Sequence, residues 1–280
     1  MLSRRGGGEV LFALPRNMPD TFSLESGTSG RDFYASHYRD RLVREAEWLR
    51  RGATQKADSV ERLLRCNGIE PDSILELGCG TGAVITQLQS RGLARRYYGV
   101  DYSEEAIAYL KSAAPAIECA VADITETPDP FGEESFDVVV LSHTVEHLEE
   151  PLRFLEAIRP IPFDHLIVEV PLENLFFGRM KSALSDRSRN PAGHVQFFTR
   201  RSFRKLVADA GYVIADERVY APWFDDATLE FAYGADGAIR RVHKRLTEQY
   251  LPRAIGPLWT RVYHAHHAVL CRSMKDEAHG

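Results

Sequence analysis

Residues 73–84 read SILELGCGTGAV: a short apolar run opened by Ser73, with Glu76 near its end, then three glycines and Cys79 within the next five positions. The run predicts a strand over Ile74–Leu77, and the residues after it predict a helix over Gly82–Ser90. Glycines at such a strand exit permit a tight turn and let a ligand lie directly against the backbone. Residues 78–83 also satisfy the loose dinucleotide fingerprint G-x-G-x-x-A, a pattern that needs structural context before it means anything.

The chain around this stretch has an ordinary globular composition. Its 280 residues are 44% hydrophobic and 27% charged, enough for one large α/β domain or two small ones. The formal charge of −5 argues against a nucleic-acid partner, which calls for a basic footprint. Cys66, Cys79, Cys119 and Cys271 form no CxxC pair and read as reduced thiols, which places the protein in the cytoplasm. No apolar run approaches the roughly 20 residues that cross a bilayer, so no membrane partner is expected. The opening MLSRRGGGEVLFALP has the two arginines of an export signal, but its apolar stretch is shorter than the roughly 7–15 residues such a signal carries.

Residues 1–30, rich in Gly and Ser, predict a flexible segment. Residues 31–69 predict a helical lid of two helices, Asp32–Arg51 and Thr54–Asn67. From 70 to 280 strands and helices alternate. Strands are expected at Tyr97–Val100, Ile117–Ala122, 136–142 (FDVVVLS), 165–170 (HLIVEV), Tyr212–Asp216 and 261–272 (RVYHAHHAVLCR). Helices are expected after Ser103 as N-cap, at Pro151–Ile158, at Arg201–Ala210 and near Ala238–Tyr250. FDVVVLS is apolar on both faces, as central parallel strands are. The order implies a doubly wound, mainly parallel Rossmann-like sheet, interrupted by insertions at about 172–192 and 221–257.

In such a sheet ligands bind beyond the carboxyl ends of the strands. Gly78, Gly80 and Gly82 leave the first strand there. Asp101 closes the second, 23 residues after Gly78, a spacing suited to a carboxylate on a ribose hydroxyl pair. Up to this point NAD and an adenosyl cofactor fit equally. Asp123 ends the third strand, with Ile124 beside it, and Ser142-His143 end the fourth.

With three successive strands delivering polar groups to one edge, the sequence resembles the class I S-adenosylmethionine-dependent methyltransferases, and within them small-molecule members such as ubiquinone-type O-methyltransferases. ELGCGTG is similar to their first motif, GVDYS to the ribose-binding acid, VADI to the adenine-binding acid, FDVVVLSHTVEHLEEP to the fourth-strand signature and GHVQFFTRRSFRKLVADAGY to the segment before the fifth helix. The resemblance spans about 70–220. It implies a seven-stranded sheet ending in an antiparallel hairpin and S-adenosylmethionine as cofactor. Glu76, Gly78, Gly80 and Gly82 would frame its methionine end, Asp101 and Tyr102 the ribose, and Asp123 and Ile124 the adenine. Ser142 and His143 would border the sulfonium. The implied reaction is methyl transfer to a small-molecule oxygen or nitrogen, oxygen favoured.

The competing readings are an NAD-dependent dehydrogenase, for which no Tyr-x-x-x-Lys pair is found, and a methyltransferase-fold protein that binds without turnover. Asp123 could instead cap the TETP turn, and Cys79 reads as a packed residue. His194 is the candidate general base, or else steadies the loop it sits on, with His143 facing the cofactor. Tyr34 and Tyr38, one turn apart, could close over the substrate or pack in the core. Arg179, in a basic insertion with Lys181, Arg187 and Arg189, suits an acceptor bearing a carboxylate or phosphate. No metal site is expected. His143 and His147 lack an HExxH-like arrangement, and His264 and His266 have no acid or cysteine close in sequence.

Overall fold

Ser73 and Asp137 open two neighbouring strands and lock them together. The Ser73 N–H donates to Asp137 Oδ2 at 2.9 Å, and the Asp137 N–H donates to Ser73 Oγ at 3.0 Å. These strands, β1 (Ser73–Leu77) and β4 (Phe136–Ser142), run parallel at the middle of a seven-stranded sheet. The computed structural model describes residues 30–127, 130–132, 135–173, 175 and 193–273, with side chains described from 41 to 272.

The sheet order is β3-β2-β1-β4-β5-β7-β6, with β2 Arg96–Asp101, β3 Glu118–Val121, β5 Phe163–Leu172, β6 Tyr212–Tyr220 and β7 Ala265–Ser273. The first five strands pair in parallel, while β7 runs antiparallel between β5 and β6. The seven-stranded, mainly parallel sheet with a terminal hairpin is therefore as read from the sequence. After β1 the chain winds outward one way, and after β4 the other way, so the switch point lies between β1 and β4.

Alternation along β4 divides the core. Val138 and Val140 face α1 (Gly30–Cys66), α2 (Ala83–Ser90) and α3 (Glu104–Ala113). Val139 and Leu141 face α4 (Pro151–Ala157) and α5 (Arg200–Asp209). Ser103 caps α3 as expected, its Oγ accepting the Ala106 N–H at 3.1 Å. Thr199 and Ser202 cap α5 reciprocally.

Three expectations need correction. The predicted break between two N-terminal helices at 52–53 is absent. Helix runs through Gly52 to Cys66, and the non-helical residue is Arg41 (φ −143°, ψ 27°). A single glycine costs a helix only about 1 kcal/mol, and Ala53, Ala57, Val60, Leu63 and Leu64 bury one continuous face across it. β6 extends past Asp216 to Tyr220, with its register shifted between Ile214 and Asp216. A bulge there hides the alternation that a sequence reading relies on. β7 begins at Ala265 rather than Arg261, because the preceding residues finish a helix. That insertion comprises α6 (Asp226–Tyr233), α7 (Ala238–Arg245), a π-helical turn (Leu246–Tyr250) and α8 (Leu251–Val262).

Gly82 begins α2 at φ +79°, and a Cβ there would lie 2.3 Å from Leu110 Cδ1. Gly82→Ala combines left-handed strain with overpacking and is expected to lower stability by about 2–5 kcal/mol, read as a fall in urea unfolding midpoint.

Candidate active site

At the end of β2 the buried Asp101 carboxylate accepts two backbone N–H groups, from Gly80 at 2.8 Å and from Ser103 at 3.0 Å. One side chain thus joins the β1 exit to the cap of α3. Gly78, Gly80 and Gly82 all have positive φ. At Gly78 a Cβ would strike Thr144 Cγ2 at 2.6 Å, and Thr144 Oγ1 donates to the Leu77 carbonyl at 3.3 Å. Two of the three small residues are therefore required by the chain's own packing, Gly78 against Thr144 and Gly82 against Leu110. Cys79 packs inward, its Sγ close to Gly99, and burial pushes its thiol well up.

Glu76 points from β1 to α2, where Oε2 accepts the Ile85 N–H at 2.9 Å. The helix has no side-chain cap of its own, so the strand supplies the missing acceptor. Burial raises the Glu76 carboxyl to about 8 against the pull of that N–H and of Lys56.

Past the switch point the register sets Ser142 beside Glu169 and His266 opposite Tyr220. His143 is the non-glycine residue with positive φ, 59°, among the described residues. Its N–H donates to the Glu169 carbonyl at 2.9 Å. Its Nε2 lies 3.2 Å from His266 Nδ1 and 3.4 Å from Glu169 Oε1. Tyr220 donates to Glu169 Oε1 at 2.8 Å, and His266 Nδ1 lies 3.1 Å from the same oxygen. Burial opposes ionisation of Glu169, but bonds from His143 and His266 outweigh it and hold the carboxyl well below its usual range. Burial, with Lys56 and His266 nearby, keeps His143 neutral.

A second group adjoins the first through His143 Nδ1, 3.3 Å from Glu146 Oε1. His147 donates through Nδ1 to the Gly193 carbonyl at 3.1 Å. His194 Nδ1 pairs with Glu173 Oε2 at 2.7 Å, and the two imidazoles meet edge to face with centroids 4.9 Å apart. Neither Glu146 oxygen accepts a hydrogen bond among the described residues, nor does the buried Ser142 hydroxyl find a partner. Burial raises Glu146 to about 7 and lowers His147 to about 3. For His194 burial acts downward, but Glu173 outweighs it and the group is raised. Half-buried Lys56, from α1, is lowered by burial against the attraction of Glu169, Glu146 and Glu76. The edge of the sheet thus gathers buried acids and imidazoles whose charge depends on which partner reaches them. Glu169 is held ionised and His143 and His147 neutral, while Glu76, Glu146 and His194 are raised.

A family model described as "Methyltransferase domain" matches residues 37–217, from α1 through most of β6. The chain belongs to this methyltransferase family. It is a class I S-adenosylmethionine-dependent methyltransferase in fold and motif order. A probable S-adenosylmethionine-dependent methyltransferase of Mycobacterium tuberculosis is 32% identical over 141 residues, covering 50% of this chain and 48% of that protein. One from Mycolicibacterium smegmatis is 29% identical over 178 residues, covering 62% and 63%. The chain thus spans about half to two thirds of these curated relatives. Among solved structures, magnesium protoporphyrin IX methyltransferase of Synechocystis, with bound SAH, superposes at TM-score 0.56 and 15% identity, covering 88% of this chain and all of that one. A Thermotoga maritima SAM-dependent methyltransferase, titled a possible histamine N-methyltransferase, gives 0.55 at 18%, covering 85% and 98%. Both show the fold.

In this methyltransferase the sequence-predicted residues separate by position. Glu76, the three glycines, Asp101, Ser142, His143 and His194 converge at the switch-point edge. Asp123 accepts from the Thr125 N–H and hydroxyl at 3.0 and 2.7 Å, so it does cap its own turn. Ile124 is buried with the core cluster. Tyr102 is half-buried next to Asp101. The side chains of Tyr34 and Tyr38, and Arg179 with its basic neighbours, lie outside the described residues.

His147 anchors the loop at the Gly193 carbonyl. The acid that His266 lacks nearby in sequence is supplied across the sheet, where β5 brings Glu169 to it, so the argument against a metal site there does not hold. His143–Glu169–His266 and Glu146–His147–His194 each gather three ligand atoms within 4.8 Å, a set able to hold a divalent ion. Lys56, Glu146, Glu169, Glu173 and Tyr220 were not singled out. The lone acid inside HLIVEV was the one available sign of Glu169.

Glu76 binds a proton more tightly folded than unfolded, where its value is near the ordinary 4.5. Stability should therefore fall as pH rises from about 4.5 towards 8. Glu76→Gln, which keeps the acceptor for Ile85, should flatten that part of the pH–stability curve measured by chemical unfolding.

Proposed function

We propose that this methyltransferase transfers a methyl group from S-adenosylmethionine to a small-molecule oxygen or nitrogen, oxygen favoured, by in-line displacement. The observation that supports the acceptor chemistry is His194, whose Nδ1 is paired with Glu173 Oε2 at 2.7 Å at the same edge as the cofactor motif, an arrangement that suits a general base.

The pocket suits the cofactor on its own terms. The ionised Glu169 favours a cationic sulfur, the Ser142 hydroxyl lacks a partner among the described residues, and Asp101 stiffens the turn by holding Gly80. When bound, S-adenosylmethionine supplies an electrophilic methyl group on positively charged sulfur. Glu76 and the turn 78–82 frame its methionine end, Asp101 with Tyr102 holds the ribose, Asp123 and the backbone about Ile124 meet the adenine, and Ser142 and His143 border the sulfur. His143 is pinned by Glu169 and kept neutral, so it shapes the pocket without adding positive charge.

Alignment of two reactants is worth roughly 7–11 kcal/mol, whereas a general base adds about 10²–10⁴-fold. Positioning by the rigid sheet edge therefore dominates. His194 matters for acceptors whose hydroxyl starts neutral. Its Nδ1 faces Glu173, which orients the ring and stabilises the imidazolium formed when Nε2 takes the proton. The basic segment with Arg179 is the feature that favours an acceptor bearing a carboxylate or phosphate.

Two measurements test this. Calorimetry should show binding of S-adenosylhomocysteine and none of NAD, and Asp101→Ala should weaken the former roughly 10–100-fold. Binding of NAD in its place would restore the dehydrogenase reading. His194→Ala should slow transfer to a hydroxyl acceptor by about 10²–10⁴-fold and to a carboxylate acceptor little. Glu173→Gln removes the charge that raises His194, so the acid limb of its pH–rate profile should move to lower pH. An unmoved limb would detach the pair from the chemistry.

A further inference from the structure

The insertion between β6 and β7 contains a helix turned inside out. α7 has no buried residue, and its inward side is polar. Arg240 pairs with Asp236 at 3.1 Å, Lys244 pairs with Glu248, and Glu248 accepts from Tyr233 at 2.9 Å. In the π-helical turn that continues it, the buried residues are Thr247 and Gln249. Gln249 donates to Asp226 at 3.1 Å. The apolar side faces outward. Ile239, Val242, Leu246 and Tyr250 are 89, 69, 48 and 56% exposed, and their spacing of three, four and four residues lays them in one row. Isolated exposed apolar residues are ordinary, but a contiguous row on the side of a helix away from its ion pairs marks a surface made for contact.

The charges around the row choose the partner. From 238 to 262 there are six Lys or Arg in a chain whose net charge is −5. Arg240, Lys244 and Arg245 are paired with Asp236, Glu248 and Asp226, which leaves Arg241, Arg253 and Arg261 without an ion pair among the described residues. Arg241, Arg245 and Arg253 are exposed. A second copy seated on the row by two-fold symmetry would set these arginines against their own counterparts, a like-charge contact. An acidic, fluid, apolar-backed surface has no such conflict.

We propose that α7 and its π-helical extension form a docking surface for an anionic lipid bilayer. The helix lies in the interface plane, with Ile239, Val242, Leu246 and Tyr250 at the acyl boundary and the flanking arginines at the headgroups. Such contact does not require spanning, and among the described residues no helix is long and apolar enough to cross a membrane. α8 leads directly into β7, so docking here holds the His264–His266 side of the active edge close to the lipid surface.

Flotation of the full 280-residue chain with phosphatidylcholine vesicles, and with equal parts phosphatidylcholine and phosphatidylglycerol, tests this without any assay of methyl transfer. The chain should float with the mixed vesicles, not with the neutral ones, and less as salt rises. Val242→Asp with Leu246→Asp should weaken this roughly tenfold or more at an unchanged unfolding midpoint. Val43→Asp, at an equally exposed apolar residue on α1 (75%), should leave it intact. No flotation with mixed vesicles, equal flotation of the double variant, or a lipid-free dimer that the double variant abolishes would overturn the proposal.

Discussion

The Asp101 carboxylate is the constraint on which the rest of the active edge depends. Its two oxygens hold Gly80 of the first turn and Ser103 of the next helix cap, so a change in one is felt in the other. Around it the turn is fixed by close packing, Gly78 against Thr144 and Gly82 against Leu110. Thr144 belongs to the segment after β4, so the two halves of the doubly wound sheet meet at this turn. A loop of this kind is rigid because its neighbours occupy the space that side chains would need. The expectation that all three small residues clear space for a ligand was too simple. At two of them the space is already filled by protein.

Beyond the turn, the electrostatics are set by burial. Glu76 and Glu146 are raised towards neutrality while Glu169 is held ionised by imidazoles. Acids of similar chemistry within one pocket therefore differ in charge according to whether a donor reaches them. Lys56 lies among these groups from a helix that is otherwise concerned with packing against α2 and α3. The link between that helix and the C-terminal insertion is direct: Gln55 bonds the Trp223 carbonyl and N–H at 2.6 and 3.1 Å. The cation and the acids it faces are thus held in one frame.

What the sequence made legible was local. FDVVVLS, Asp101 at the end of β2 and the Ser103 cap are each decided by a few adjacent residues, and each is found where it was expected, whereas Asp123 lies past the end of β3 in its own turn. What it hid depends on register between distant strands. Glu169 meets His266 across β5 and β7, 97 positions apart, and only the antiparallel insertion of β7 makes that meeting possible. The same separation explains why no acid stands near His266 in the sequence. The helix boundary at Gly52 failed for a different reason, since buried alanines and leucines on one face outweigh the preference of one residue. In 226–262 the apolar row points away from the core, so reading apolar periodicity as burial misplaces it.

The antiparallel strand carries a consequence for biosynthesis. β7 is the last of the seven to leave the ribosome, yet it belongs between β5 and β6, each of which must wait for it with an unpaired edge. The early strands can assemble the parallel half of the sheet during translation. The half bearing Tyr220 and His266 cannot close until residue 273 has emerged. A nascent or truncated polypeptide would therefore expose two adhesive strand edges, and its vulnerability to aggregation would be concentrated in that interval.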